Sequence, residues 1–244
     1  MFRVKIIILF ASLLIGLLFL HSCECVPDIV TPRKIIPDQY ANVMFLNSNS
    51  DFDLMKFQTE SGNFVVNSFY LTEKFSYQSM IPGIVNVQIL TQRDSMLFNS
   101  VMDLNKSYPY TFFAFGNADR VQGLLLVDTV FRYSKYNTFF RCINLAMSSP
   151  YIKFLIVGSY PIEKIKPYKT SSGFYPISSG LYKIEIRNAT NDSLLLTYNN
   201  AEFKPGRAYS LLLRGYYSGI GHRKMNLQIV ESDFLYKKSQ RKKK

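Results

Sequence analysis

Lys183, Glu185 and Arg187 alternate with Tyr182, Ile184 and Ile186 along one short run, so that charged side chains point one way and apolar ones the other. A period of two fits a half-buried antiparallel strand and cannot be laid on one face of a helix. The run follows the turn Phe174-Tyr175-Pro176-Ile177-Ser178-Ser179-Gly180, and the same order stands earlier, where Tyr77-Gln78-Ser79-Met80-Ile81-Pro82-Gly83 leads into Val85-Asn86-Val87-Gln88-Ile89. Laid over the second half of the chain at a shift of 97 to 99 residues, the first half keeps step as far as Gly116. Met44 to Phe52 falls on Ile143 to Tyr151, an apolar strand running into a polar turn and then an aromatic. Arg93-Asp94-Ser95-Met96-Leu97 falls on Asn191-Asp192-Ser193-Leu194-Leu195, a hairpin in which Asp and Ser bond their own backbone. Leu104 to Gly116 falls on Phe203 to Gly215, and the last strands, Gln122 to Asp128 and Met225 to Glu231, both end in an acid.

Tyr110 and Tyr209 occupy equivalent places in this overlay. Each opens a late strand after a tight polar turn, which resembles the tyrosine corner of Greek-key sandwiches, where the hydroxyl ties back to an upstream backbone group. Aromatic residues make up 15% of the chain, with no Trp, against 19% charged residues, a balance that favours strands over solvated helices. About seven short strands per unit, with turn signals roughly every ten residues, predict an all-β chain of two tandem immunoglobulin-like antiparallel β-sandwich domains. The spacing places them at 40–131 and 139–236, joined by a linker, 132–138, that is too short and too aromatic to act as a flexible tether. The two units are therefore expected to touch.

The N-terminus carries an address. Arg3 and Lys5 precede the uncharged, proline-free run Ile6 to Leu20, which is shorter than the roughly 20 residues of a membrane-spanning helix and reads as a secretory signal over 1–22. Its ending, Leu20-His21-Ser22-Cys23, resembles the lipobox of bacterial lipoproteins and makes Cys23 the expected site of lipid attachment, although His21 replaces the usual small or aliphatic residue. An uncleaved anchor helix and ordinary cleavage after Cys25 are the competing readings. On the lipobox reading the chain is a cell-envelope protein, lipid-anchored to the outer membrane on its periplasmic or surface face. Residues 23–39, with Pro27, Pro32 and Pro37, form an extended spacer. The net charge of +12 includes Arg3 and Lys5 of the signal and six cations in the basic tail 237–244, so only about four positive charges belong to the folded part. Charge gathered in a terminal run is no nucleic-acid face, and no nucleic-acid partner is expected.

The opening strand with its polar turn, the Ile81-Pro82-Gly83 turn before an alternating strand, and the Tyr110-Thr111-Phe112-Phe113-Ala114-Phe115-Gly116 strand leading to Leu124-Leu125-Leu126-Val127-Asp128 resemble the bacterial domain of unknown function 4397. The second half carries the same features, with Ser178-Ser179-Gly180 in place of the Ile-Pro-Gly turn, and neither half has the family's Asp-Ala-Pro in the first turn. The resemblance implies a tandem pair of sandwiches on an envelope lipoprotein and no assigned activity.

Little in the chain points to catalysis. His222 is the single histidine after the signal and lies in a glycine-rich hairpin tip, so zinc and triad schemes lack their partners. Gly215 to Gly221 holds glycines between strands, without a following helix to receive a phosphate. Asp51 and Asp53 flank Phe52 in a polar turn that supplies too few oxygens for calcium. Cys142 sits in an apolar strand, where a buried thiol and a disulfide to Cys25 are both open readings. No catalytic residue, metal or cofactor is expected. The candidate ligand-binding residues are Tyr216 and Tyr217, whose rings in a glycine-rich loop suit stacking on a sugar or gripping a peptide. The chain thus reads as a non-enzymatic binding or structural component of the envelope whose partners are the membrane, through its N-terminal lipid, and an envelope protein or glycan. The alternative is a carbohydrate-binding or adhesion module.

Overall fold

The structure, a computed structural model, describes residues 39–60, 65–71, 74–130, 136–158 and 161–232. The signal segment, Cys23 and Cys25, most of the spacer and the basic tail lie outside the described residues. Within them the chain is almost wholly strand, which is the all-β sandwich class the alternation implies. The first half contributes β1 (Ala41–Asn47), β2 (Leu54–Thr59), β3 (Val65–Tyr70), β4 (Lys74–Met80), β5 (Gly83–Leu90), β6 (Met96–Leu104), β7 (Pro109–Gly116) and β8 (Val121–Val127). The second contributes β9 (Thr138–Asn144), β10 (Ile152–Val157), β11 (Ile162–Lys166), β12 (Thr170–Ser171), β13 (Tyr175–Ile177), β14 (Gly180–Asn188), β15 (Leu194–Phe203), β16 (Ala208–Arg214) and β17 (Asn226–Ser232).

Both halves follow one plan. In the first, a sheet ordered β4-β1-β7-β8 faces one ordered β3-β2-β5-β6; in the second, β9, β16 and β17 follow a flank shared by β12 and β13, facing β11-β10-β14-β15. Among the described residues the first half has eight strands where about seven were expected, and one pairing in each half, β1 with β7 and β9 with β16, is parallel. Parallel neighbours need a long crossover, and here nearly the whole half lies between the two strands.

The turns explain why the halves match. Asp94 and Asp192 take positive φ at the hairpin tips, 61° and 59°, a conformation that Asp tolerates. Gly116 ends β7 and Gly215 follows β16, both at positive φ, and a Cβ there would lie 2.2 Å from the Arg120 carbonyl oxygen or 2.6 Å from that of Lys224. At the close of the opening strands, the side-chain oxygen of Asn47 accepts from the Asn49 amide and that of Asn144 from the Ala146 amide, one Asx turn built twice. This sets the shift there at 97, so Met44 is the counterpart of Arg141 and not of Ile143. The tyrosine corner is present in both halves: the Asn105 amide donates to the Tyr110 hydroxyl at 2.9 Å and the Lys204 amide to that of Tyr209 at 3.1 Å.

Each sandwich has its own core. Phe45, Phe57 and Phe112 lie at the centre of the first, and Phe140, Phe154, Phe203 and Leu211 of the second. A third cluster joins the halves: Met44, Leu46, Phe113 and Phe115 pack against Ile143, Leu145, Leu212 and Val230. Every residue of β1, β7, β9 and β16 is consequently buried, whereas β2 and β10 alternate. The two middle sheets are covered on both faces, and four layers stack in the order outer, inner, inner, outer. Burying a Leu, Ile or Phe is worth roughly 1.5–3 kcal/mol, so this seam holds the halves as firmly as a core does.

Candidate functional site

The polar residues that the fold gathers most tightly lie at the two ends of this seam. At one end Arg141, in the middle of β9, is only 2% exposed. Its Nη2 donates to Asp128 Oδ1 at 2.5 Å, its Nε to Ser210 Oγ at 2.8 Å and its Nη1 to the Val127 carbonyl at 3.2 Å. Asp128 Oδ2 also accepts from the Tyr77 and Thr111 hydroxyls, both at 2.5 Å. The Phe174 ring covers the guanidinium, 4.7 Å from ring centroid to Cζ. Burial first, and the Asp128 charge and hydrogen bond after it, push the Tyr77 phenol well above its ordinary pKa. The charges are thus fully partnered in a water-poor setting, the condition under which a buried ion pair is tolerated. With carboxylate and guanidinium enclosed in this way, the cluster fixes how the halves sit and offers no open acid or base.

At the other end Asp51, in the turn after β1, accepts from the Ala118 amide at 2.8 Å and from the Tyr216 hydroxyl at 2.5 Å, and pairs with Arg223 Nε at 3.1 Å. Burial, followed by the hydrogen bond to Asp51, raises the Tyr216 pKa to about 12. Arg214 is buried beside this group and reaches Ser50 Oγ at only 3.5 Å, and burial lowers its pKa.

These contacts decide what the sequence-derived candidates do. Tyr216 is a strut between the halves, half-buried, with its hydroxyl given to Asp51. Tyr217 is 38% exposed and faces outward from the same loop. His222 is exposed in a short 3-10 turn, Gly221–Arg223. Cys142 is free and fully buried, and burial raises its pKa to about 12, which keeps it a thiol at neutral pH. Among the described residues no three His, Cys, Asp or Glu side chains gather as metal ligands, and Asp51 serves the seam instead. No helix among them is long and apolar enough to cross a membrane. Cys23 lies outside the described residues.

Sequence reading missed Arg141, Asp128, Thr111, Ser210 and Tyr77 as a unit. A signal existed: Arg141 is the sole charge in Thr138–Asn144, set among Phe139, Phe140, Cys142 and Ile143, and the neighbouring β16 holds Leu211, Leu212 and Leu213. Such runs belong to sheets covered on both faces, and a charge inside one must be buried with a partner.

Elsewhere the surface is open. A shallow depression of about 450 Å³ is lined by Tyr136, Asn137, Pro176, Ile177, Ser178 and Ser179. The outer face of the second sandwich carries an ion-pair net, in which Glu185 receives Lys183 and Arg187, and Asp192 receives Lys153 and Arg187.

No protein-family model matches the chain, and no curated protein matches it. Among solved structures it is similar to the Bacillus anthracis TIE protein, at 10% identity and a TM-score of 0.24, over 73% of this chain and 34% of that one. The chain therefore spans about a third of that protein's length. It is also similar to a candidate adhesin from Bacteroides ovatus, at 10% identity and a TM-score of 0.22, over 81% of this chain and 97% of that one.

Proposed function

We propose that this protein is a non-catalytic component of a cell envelope, tethered to the outer membrane through lipid on Cys23, in which two fused sandwiches serve as a rigid binding or structural unit. The observation that supports the reading most is the use made of its polar side chains: Asp128, Arg141, Tyr77, Asp51 and Tyr216 all hold the two halves in one fixed relation. A molecule built this way presents its outer sheets and end loops at set distances, as a spacer or recognition surface requires. The leader Ile6 to Leu20 and the ending Leu20-His21-Ser22-Cys23 supply the envelope address. The resemblance of both halves to the domain of unknown function 4397 accords with it. The alternative, a carbohydrate-binding or adhesion module, draws on Tyr217 but not on Tyr216, whose hydroxyl is already bonded.

The test is the intact mass of the membrane-extracted protein beside a Cys23→Ala variant, with both fractionated. An acylated chain beginning at Cys23, with acyl mass and membrane attachment both lost in the variant, is the expected result. A soluble product beginning near Val26 would overturn the anchor.

A further inference from the structure

Each of the four sheets ends in edge strands, and an open edge is a row of unpaired amides and carbonyls that another strand can join. Most edges here are guarded. β4 carries Lys74, β11 carries Glu163, Lys164 and Lys166, and β17 carries Glu231. β12 and β13 are two and three residues long, and β13 contains Pro176. β3 and β15 are kinked by bulges: one pairing shifts between Met55 and Phe57 of β2, and in β15 Asn200 takes a φ of 58°. β6 has neither protection along most of its length. From Phe98 to Leu104 it pairs with β5 residue for residue, and its only charge is Asp103.

The free side of β6 can be read from its neighbours. The Glu60 amide donates to the Asn86 carbonyl at 3.0 Å, so Asn86 points its backbone at β2, while Val85 and Val87 point theirs at β6. Opposite them, Met102 and Ser100 face β5, and Asn99, Val101 and Asp103 turn their backbone groups away from it. No strand among the described residues pairs with them there. The side chains of the same three residues stand on the outer face: Val101 is 58% exposed, and Asn99 and Asp103 are exposed beside it. Asp103 lies across from Ile84, which offers its carboxylate nothing, and Asn99 across from Gln88, whose side-chain oxygen already accepts from Gln58 at 2.9 Å.

We propose that β6 pairs antiparallel with β6 of a second copy of this chain, about a two-fold axis passing between the two Val101 residues. In this register Val101 meets the partner's Val101 and Asn99 meets the partner's Asp103, so that on each side of the axis an amide donates to a carboxylate that has no cation of its own. Backbone and side chains agree on it. Residues whose backbone groups face the partner strand exchange both hydrogen bonds with the residue opposite, and here those residues are the ones whose side chains match. Centred on Asp103, the pairing would set two carboxylates face to face; centred on Asn99, it would run into Leu97, where β6 itself bulges. Gly123 of β8, the edge of the facing sheet, lies against the Phe98 ring, and β8 carries no charged residue to oppose the approach of a second copy. The product is one continuous outer sheet, closed by its two-fold symmetry. The counterpart strand β15 is barred from the same pairing by its bulge at Asn200. The interface does not depend on how the chain is anchored.

The test is sedimentation equilibrium of the full chain in neutral detergent micelles over a range of protein concentrations. The wild type should follow a monomer-dimer equilibrium, and Val101→Lys, which brings two ammonium groups together on the axis, should abolish it. Asn99→Asp sets carboxylate against carboxylate on both sides of the axis and should raise the dissociation constant about tenfold. Adding Asp103→Asn to Asn99→Asp exchanges the two members of each pair and should return the constant to its wild-type value, a recovery that association through another surface would not show. These side chains are exposed, so urea denaturation of each variant should match the wild type. A chain that stays monomeric at every concentration, or a dimer that survives Val101→Lys, overturns the proposal. A double variant as weak as Asn99→Asp overturns it too, because it removes the register.

Discussion

The two ends of the seam join the same two halves by different chemistry. At one, a carboxylate and a guanidinium are enclosed together, and each nitrogen of the Arg141 guanidinium and each carboxylate oxygen of Asp128 meets a protein partner. At the other, Asp51 meets a half-buried phenol and an arginine that is 55% exposed, while Arg214 lies buried nearby without a carboxylate. The first arrangement is strong only while complete, because removing one charge strands the other in a medium that cannot solvate it. The second is open to water at its rim, so the loss of any one member can be made good in part by solvent.

That contrast can be broken most directly at Asp128. Asp128→Ala should lower the unfolding free energy by about 3–5 kcal/mol, measured by urea denaturation. The equivalent position to Arg141 in the first half is Met44, so Asp128→Ala combined with Arg141→Met should recover most of that loss. A double variant no more stable than the single would show that the stranded charge is not the cause.

A smaller effect is expected at the other end. Tyr216→Phe removes a hydrogen bond to a charged group and should lower stability by about 1.5 kcal/mol. The same tyrosine gives the comparison a pH axis. Its folded pKa, about 12, lies above the ordinary phenol value near 10, as does that of Tyr77. A raised folded pKa means that the stability from these phenols is complete below pH about 10 and is lost as the pH rises towards the folded value, since the unfolded chain releases those protons first. Denaturation curves taken across that range should steepen their decline above pH about 10, and the decline should be shallower in Tyr216→Phe. Identical slopes would mean that burial of this phenol is not felt.

The smallest effect tests the features that repeat instead of those that differ. Tyr110→Phe and Tyr209→Phe each delete one corner hydrogen bond and should each cost about 1 kcal/mol. Near-equal losses, read from thermal or urea unfolding, would confirm that the two corners are interchangeable; a large inequality would show that the two halves differ in rigidity.

The repeated features were also the ones legible in the sequence. Alternation in Tyr182 to Arg187, Asp at the hairpin tips and a tyrosine after each tight turn act within about ten residues of chain, where pattern and structure are tied by geometry. The opening strand was displaced by two residues in the overlay, because Met44 and Ile143 look alike while the true landmark is the pair of Asx turns at Asn47 and Asn144. A displacement of two keeps every side chain on its own face, so the fold class survived it. The seam was not legible, for its partners stand far apart in sequence: Asp51 meets Tyr216 from 165 residues away. Tyr216 read as a binding ring for the same reason, since its local glycine-rich setting says nothing about a carboxylate arriving from the other half.

The faces that meet in the seam are the same face of two copies of one plan, set side by side in the same direction, for Asp128, just past β8, meets Arg141 in β9 while Ser50, just past β1, meets Arg214 at the end of β16. That is the arrangement of a two-fold dimer, with the covalent chain standing in for the encounter between subunits. In an ordinary dimer of this design the buried Arg141 and Asp128 would be released to water on dilution, and folding would depend on concentration. Joined end to end, the copies meet at an effective concentration that no dilution changes. However sparse the protein, it can therefore keep an interface that a free dimer would lose.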